Sequence, residues 1–140
     1  MTEPAFIAEI LDRLRHEIEV DIETRRSADA APHRTVIWVV VDPVDRVLVR
    51  SYRGQGARWY REALAGTATA LIVDGTDLPV QVVDAADPER VASCSAELLS
   101  KYAGDPAARA MVRDEVLGTT LELRPARPWD WHRSCGILGW

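Results

Sequence analysis

The run Arg34-Thr35-Val36-Ile37-Trp38-Val39-Val40-Val41, followed by Asp42-Pro43-Val44-Asp45 and by Arg46-Val47-Leu48-Val49-Arg50-Ser51-Tyr52, decides how the chain is read. From Arg34 to Val41 the residues are mostly β-branched or aromatic and apolar on both alternating faces. That is the pattern of a strand covered on both sides and central in its sheet. Asp42-Pro43-Val44-Asp45 supplies a turn, because proline presets the dihedral of its second position. The chain returns with Val47 and Val49 alternating with Leu48 and Arg50, so the two segments form a hairpin.

Toward the N-terminus, residues 4–16 place Phe6, Ile7, Ile10, Leu11 and Leu14 at helical spacing, which predicts an amphipathic first helix. His16 ends it, where an imidazole suits the carbonyl-rich terminus. From Ile18 the period becomes two, Ile18, Val20 and Ile22 alternating with Glu19, Asp21 and Glu23, as in a half-buried strand ending near Thr24. Residues 25–33 read as a polar loop. Toward the C-terminus, residues 58–65 form a short helix ended by Gly66. Residues 67–73 and 78–83 are strands joined by the tight turn Asp74-Gly75. Asp87-Pro88 puts a cap before a proline in the first helical turn and opens a helix to about Tyr102. Asp105-Pro106 repeats the device for a helix to about Leu117. Residues 119–123 give one more strand.

Six hairpin-rich strands without regular strand-helix-strand alternation predict an α+β or mostly β domain, an antiparallel sheet or split barrel with flanking helices. At 140 residues the chain is one domain, residues 1–124, followed by a tail over 125–140. The tail holds Trp129, Trp131 and Trp140 together with His132 and Cys135. Tryptophans are costly to leave in water, so the tail is expected to lie in a groove of its own or a partner subunit, or to close as a lid over a pocket. His132 and Cys135 supply two metal ligands at most, and no metal site is expected.

The longest apolar run, Val36 to Val41, is far too short to span a bilayer, and Met1-Thr2-Glu3 carries no signal-like start, so a cytoplasmic protein without membrane contact is expected. A net charge of −5 argues against nucleic-acid binding. The average hides a polarity, because residues 25–61 hold eight arginines against three acids. A small anionic ligand suits that segment. Cys94 and Cys135 lack metal or redox spacing and are expected as reduced thiols, Cys94 as a small buried hydrophobe.

The stretch Val49 to Tyr60 concentrates the chemistry. A strand end, Gly54-Gln55-Gly56 and a helix start bring backbone N–H groups, the Ser51 hydroxyl and the guanidinium forks of Arg50, Arg53 and Arg58 to one place, which is how a phosphate is held without metal. Trp59 and Tyr60 are placed to flank a planar ring. The competing reading makes the arginines solvated charges and Trp59 a core anchor. No residue is an evident proton donor; Tyr52 and Tyr60 are the candidates, and His33 is a candidate acid or base beside Arg34. Lys101-Tyr102 is expected to neutralise the terminal carbonyls of its own helix, or to point a donor toward the pocket.

Several of these segments together resemble a known family: Glu23-Thr24-Arg25-Arg26, Arg34 to Val40, Val47 to Gly54, Arg58-Trp59-Tyr60 with Leu64, Lys101-Tyr102, and Thr120-Leu121. They are similar to the flavin- and deazaflavin-binding split β-barrels, and among them to a small bacterial family of unknown function beside the deazaflavin-dependent nitroreductases. The resemblance implies a six-stranded barrel that forms a homodimer and holds FMN or a deazaflavin coenzyme at the subunit interface. It implies Arg34, Arg50, Ser51, Arg53 and Arg58 as phosphate contacts, Trp38, Trp59 and Tyr60 as ring neighbours, Gly54 among the cofactor-binding residues, and an oxidoreductase activity. The alternative is a cofactor-free barrel that binds a small aromatic or anionic ligand, as a cyclase, an isomerase or a binding protein.

Overall fold

A computed structural model of the chain describes residues 5–126, so the readings of Trp129, Trp131, His132, Cys135 and Trp140 lie outside the described residues. Helix α1 (Ala8–His16) buries Leu11 and Leu14 and ends as its sequence requires, with the His16 imidazole Nδ1 hydrogen-bonded to the Asp12 carbonyl at 2.8 Å. Strands β1 (Val20–Thr24), β2 (His33–Ile37), β3 (Val39–Val41) and β4 (Val47–Val49) follow. A single 3-10 turn (Gly54–Gly56) leads into helix α2 (Arg58–Leu64). The β5–β6 hairpin (Thr69–Val73, Thr76–Asp84), helices α3 (Pro88–Lys101), α4 (Ala107–Ala110) and α5 (Asp114–Leu117), and strand β7 (Leu121–Pro125) complete the order.

All neighbouring strands are antiparallel, in the order β2-β1-β5-β6-β7-β4-β3. The two outermost strands of that order are consecutive in the chain, with only Trp38 between them. A flat sheet cannot satisfy this, because its edges would be several strand spacings of about 4.8 Å apart. The sheet therefore curls into a half-barrel whose two edges meet at Trp38.

This arrangement corrects the expectation of one central strand over 34–41 and so raises the strand number from six to seven. Among the described residues β2 pairs only with β1, and β3 only with β4. Apolar character on both faces came from covering layers rather than from a central place. Val39 and Val41 belong to the core inside the curl, while Val40 packs outward with Leu48, Cys94, Leu98 and Tyr102 under α3. In β2 the outward residues Arg34 and Val36 are exposed.

Local signals hold where their partners are local. Asp87 caps α3 by accepting from the Arg90 amide at 3.1 Å, with Pro88 in the first turn. Asp74 and Gly75 have φ of 50° and 78°, the left-handed pair a two-residue hairpin needs. In the 42–45 turn the Asp42 carboxylate does the organising, accepting from the amides of Val44 and Arg46 at 3.1 and 2.9 Å.

The helix expected up to Leu117 is instead two short pieces, α4 and α5. The Met111 carbonyl, which a continuous helix would bond within itself, accepts from the Arg50 guanidinium at 3.0 Å, and Arg113 adopts extended dihedrals (φ −72°, ψ 152°). Cys94 is fully buried in α3, and burial pushes its thiol up to about 11, so it is inert at neutral pH.

Candidate functional site

A cavity of about 480 Å³ opens where the two sheet edges meet, a size ordinary for small-molecule sites. β2 contributes His33, Thr35, Val36 and Ile37, and the break in the strand contributes Trp38. The end of β4 and the following loop bring Arg50, Tyr52 and Arg53, and the start of α2 brings Arg58 and Trp59. Ala107 and Met111 close the side toward α4, and Glu19 is the acidic group on the wall.

Arg50 was expected at the site, but not its burial. Arg50 is 1% exposed, yet among the described residues no carboxylate touches it. Nε donates to the Thr120 hydroxyl at 2.9 Å; Nη1 donates to the Ser95 hydroxyl at 2.9 Å and the Met111 carbonyl at 3.0 Å; Nη2 donates to the Val91 carbonyl at 3.0 Å. All four acceptors are neutral. Burial lowers the affinity of Arg50 for its proton, but from so high a starting value that the group stays cationic at neutral pH. Desolvating an unpaired cation costs several kcal/mol, and a bound anion at the cavity would offset part of that.

The other predicted residues divide. Arg53 lines the cavity and makes no ion pair among the described residues. Arg58 also lines it, but its Nε is held by Glu62 at 2.9 Å. Arg34 points to Glu23 at 3.1 Å and is not on the wall. The Ser51 hydroxyl is fully buried and closes its own loop by donating to the Gly54 carbonyl at 2.7 Å; Gly54 takes φ +73°, which a side chain would resist. Tyr60 sits in the core, edge-on to Trp59 with ring centroids 6.1 Å apart, and burial raises its hydroxyl above the usual range. Tyr52 stays on the rim, 52% exposed, with the Arg113 guanidinium 5.2 Å from its ring centre. His33 is on the wall, its Nδ1 3.4 Å from the Thr35 hydroxyl.

Trp38 is held from behind. Tyr102 stacks on it with ring centroids 3.8 Å apart and planes within 3°. The Tyr102 hydroxyl donates to the Ile18 carbonyl at 2.8 Å, and burial pushes it up to about 12. Lys101 corrects the expectation that it caps its own helix: its ammonium donates to the carbonyls of Leu14 and Val39, at 2.9 and 2.7 Å. Sequence reasoning missed Met111 and Ala107, and did not foresee that Tyr102 supports the site through its ring; these residues reach the site because α3 and α4 fold back across the sheet.

A curled antiparallel sheet with flanking helices, and a cavity at its meeting edges, is the architecture of a split-barrel-like small protein. The chain belongs to the bacterial family described as "Uncharacterized protein conserved in bacteria (DUF2255)", which matches residues 10–123. No curated protein matches the sequence. Among solved structures it is similar to a protein of unknown function from Agrobacterium tumefaciens, at TM-score 0.62 and 12% identity, covering 94% of this chain and only 63% of that one. It is similar to HutZ, the heme storage protein from Vibrio cholerae, at TM-score 0.61 and 12% identity over 88% of this chain and 92% of that one. An F420 reductase matches at TM-score 0.53 and 17% identity over 91% and 97%. Likeness at these identities is likeness of fold.

Proposed function

We propose that the cavity binds a planar, anionic, flavin-type cofactor, FMN or a deazaflavin, and that the protein is an oxidoreductase acting on a small organic substrate. The observation that carries this reading is the buried Arg50 guanidinium on the cavity wall, satisfied in hydrogen bonds but not in charge. The donor set fits such a group at both ends. Trp38, backed by Tyr102, and Trp59 would hold the ring, and Arg53 with the field of Arg50 would hold an anionic arm. When bound, the ring system supplies hydride transfer. The chain's own part is to orient it, to exclude water with Ile37, Trp59 and Met111, and to offer a proton from the rim through Tyr52 or His33. Fold neighbours that include an F420 reductase and a heme storage protein support a cavity for a large planar ring. Exposed Val36 and Tyr52 at the mouth suit a homodimer in which a second copy covers it.

The second reading is a cofactor-free barrel for a smaller aromatic anion. It is favoured by the fact that Arg34, Ser51 and Arg58 are already engaged with Glu23, Gly54 and Glu62, which leaves a lighter clamp than a phosphate dianion normally receives. Titration of FMN and of a deazaflavin into the protein, read by cofactor fluorescence, separates the two. Saturable quenching by either supports the first reading. Unchanged fluorescence with both, and protein that purifies colourless, sinks it in favour of the second.

A further inference from the structure

Sixteen of the chain's seventeen Lys and Arg residues are arginine, and the single lysine, Lys101, occupies one of its most constrained sites. Its Nζ reaches across from the end of α3 to the Leu14 carbonyl in the last turn of α1 and to the Val39 carbonyl just past the strand break. Both acceptors are neutral, and no carboxylate pairs with it among the described residues. Lys101 also lines a second cavity of about 360 Å³, apart from the first, with Arg15, Asp42, Glu97 and Ser100.

A tether alone does not need lysine, since arginine donates to carbonyls at least as well and this chain uses arginine everywhere else. What lysine adds is an amine that can exist neutral. A neutral amine has two N–H groups and one lone pair. With both N–H groups taken by Leu14 and Val39, the lone pair is fixed on the side away from those carbonyls. We propose that Lys101 is a carbonyl-reactive amine, and that the second cavity admits small aldehydes or α-oxo acids that condense with it.

The step balances without a redox partner. The Nζ lone pair attacks the carbonyl carbon, a C–N bond forms, and the carbonyl oxygen leaves as water with two protons from the amine, giving an imine. Arg15 lines the same cavity, and its ion pair with Asp45 is between exposed side chains, so the carboxylate of an α-oxo acid would have to exchange for Asp45 there. The surroundings decide how much neutral amine is present. Burial pushes Lys101 down to about 8, and Glu17 at the end of α1 opposes that. The helix-end carbonyl of Leu14 also favours the cation. Of the other charged groups on this cavity, Asp42 is bound by Arg46 and Ser93, Arg15 by Asp45, and Glu97 shares α3 with Lys101.

The test needs no knowledge of the first cavity's ligand. The full chain is incubated with glyoxylate and sodium cyanoborohydride, and adducts are located by peptide mapping from pH 6.5 to 9.5. The expected result is labelling of Lys101 at least about tenfold faster at pH 7 than a free lysine side chain, with a rate that levels off near pH 8, because a larger share of this amine is unprotonated. The Lys101→Arg variant, which leaves the chain without a lysine, serves as the control that assigns the internal adduct to this side chain. Labelling confined to the N-terminal amine, or a Lys101 rate equal to that of free lysine, overturns the proposal.

Discussion

Replacing Arg50 by lysine tests the buried guanidinium while keeping its charge. The burial cost of a cation is retained, so the change isolates the forked geometry. The fork serves four acceptors at once, the hydroxyls of Ser95 and Thr120 and the carbonyls of Val91 and Met111. An ammonium has three donors on one atom and cannot span from Thr120 on one side to Val91 on the other. At least two acceptors lose their partner. The hydroxyls can turn elsewhere, but a stranded buried carbonyl costs about 1 to 3 kcal/mol, so the variant is destabilised by about 2 to 4 kcal/mol. For a domain of this size that lowers the melting temperature by roughly 10 °C, measurable by calorimetry. The two acceptors on α3 and the one ahead of α5 give a second readout, because amide exchange in both segments accelerates more than in β1 and β5. A melting temperature within about 3 °C of wild type, with exchange unchanged, refutes the claim that Arg50 ties these elements together.

Three further outcomes follow from the same geometry. Arg53→Ala, which removes a cation without an ion pair among the described residues, weakens binding of FMN or a deazaflavin about tenfold or more while leaving the melting temperature within about 1 °C, and titration beside calorimetry checks both halves. Burial pushes Asp42 and Glu62 up, but hydrogen bonds from Arg46 and Ser93, and from Arg58 and Thr24, outweigh it and hold both below their ordinary values of 3.8 and 4.5. The stability they lend is therefore present above about pH 4.5 and lost as pH falls through the lower folded values; Asp42→Asn flattens that acid limb and costs about 2 kcal/mol at pH 7, as denaturant titration across pH shows. Tyr102→Phe keeps the ring behind Trp38 but drops the bond to Ile18, for a loss of about 1 kcal/mol by denaturant unfolding with ligand affinity unchanged.

What was legible in the sequence was what neighbours in sequence decide. The β3–β4 hairpin, the Asp87-Pro88 cap and the Asp74-Gly75 turn each rest on groups a few residues apart. The break at Trp38 was not legible, because nothing in Val36 to Val40 interrupts a strand pattern; it comes from the sheet's two edges having to share one segment. The divided helix before β7 was hidden for a related reason, since the group that competes for the Met111 carbonyl stands 61 residues away. In the site, sequence gathered Arg50, Arg53, Arg58, Trp38 and Trp59 onto one cavity wall. It did not foresee which charges were already spent: Glu23 reaches Arg34 only through strand register, whereas the Arg58–Glu62 pair, four residues apart in the predicted helix, was legible and was not read. Ser51 looked like a ligand donor from its place beside two glycines; its hydroxyl instead serves the loop those glycines build.

The central claim is that the cavity at the meeting sheet edges holds a planar ring against Trp38 and its negative charge against Arg53 and Arg50. A crystal structure of the protein grown with FMN or a deazaflavin tests it directly. The account predicts the ring parallel to Trp38, on the side opposite Tyr102, with the ligand's phosphate within hydrogen-bond reach of Arg53. Density elsewhere on the surface, or a ring in the cavity with its phosphate turned away from both arginines, contradicts it.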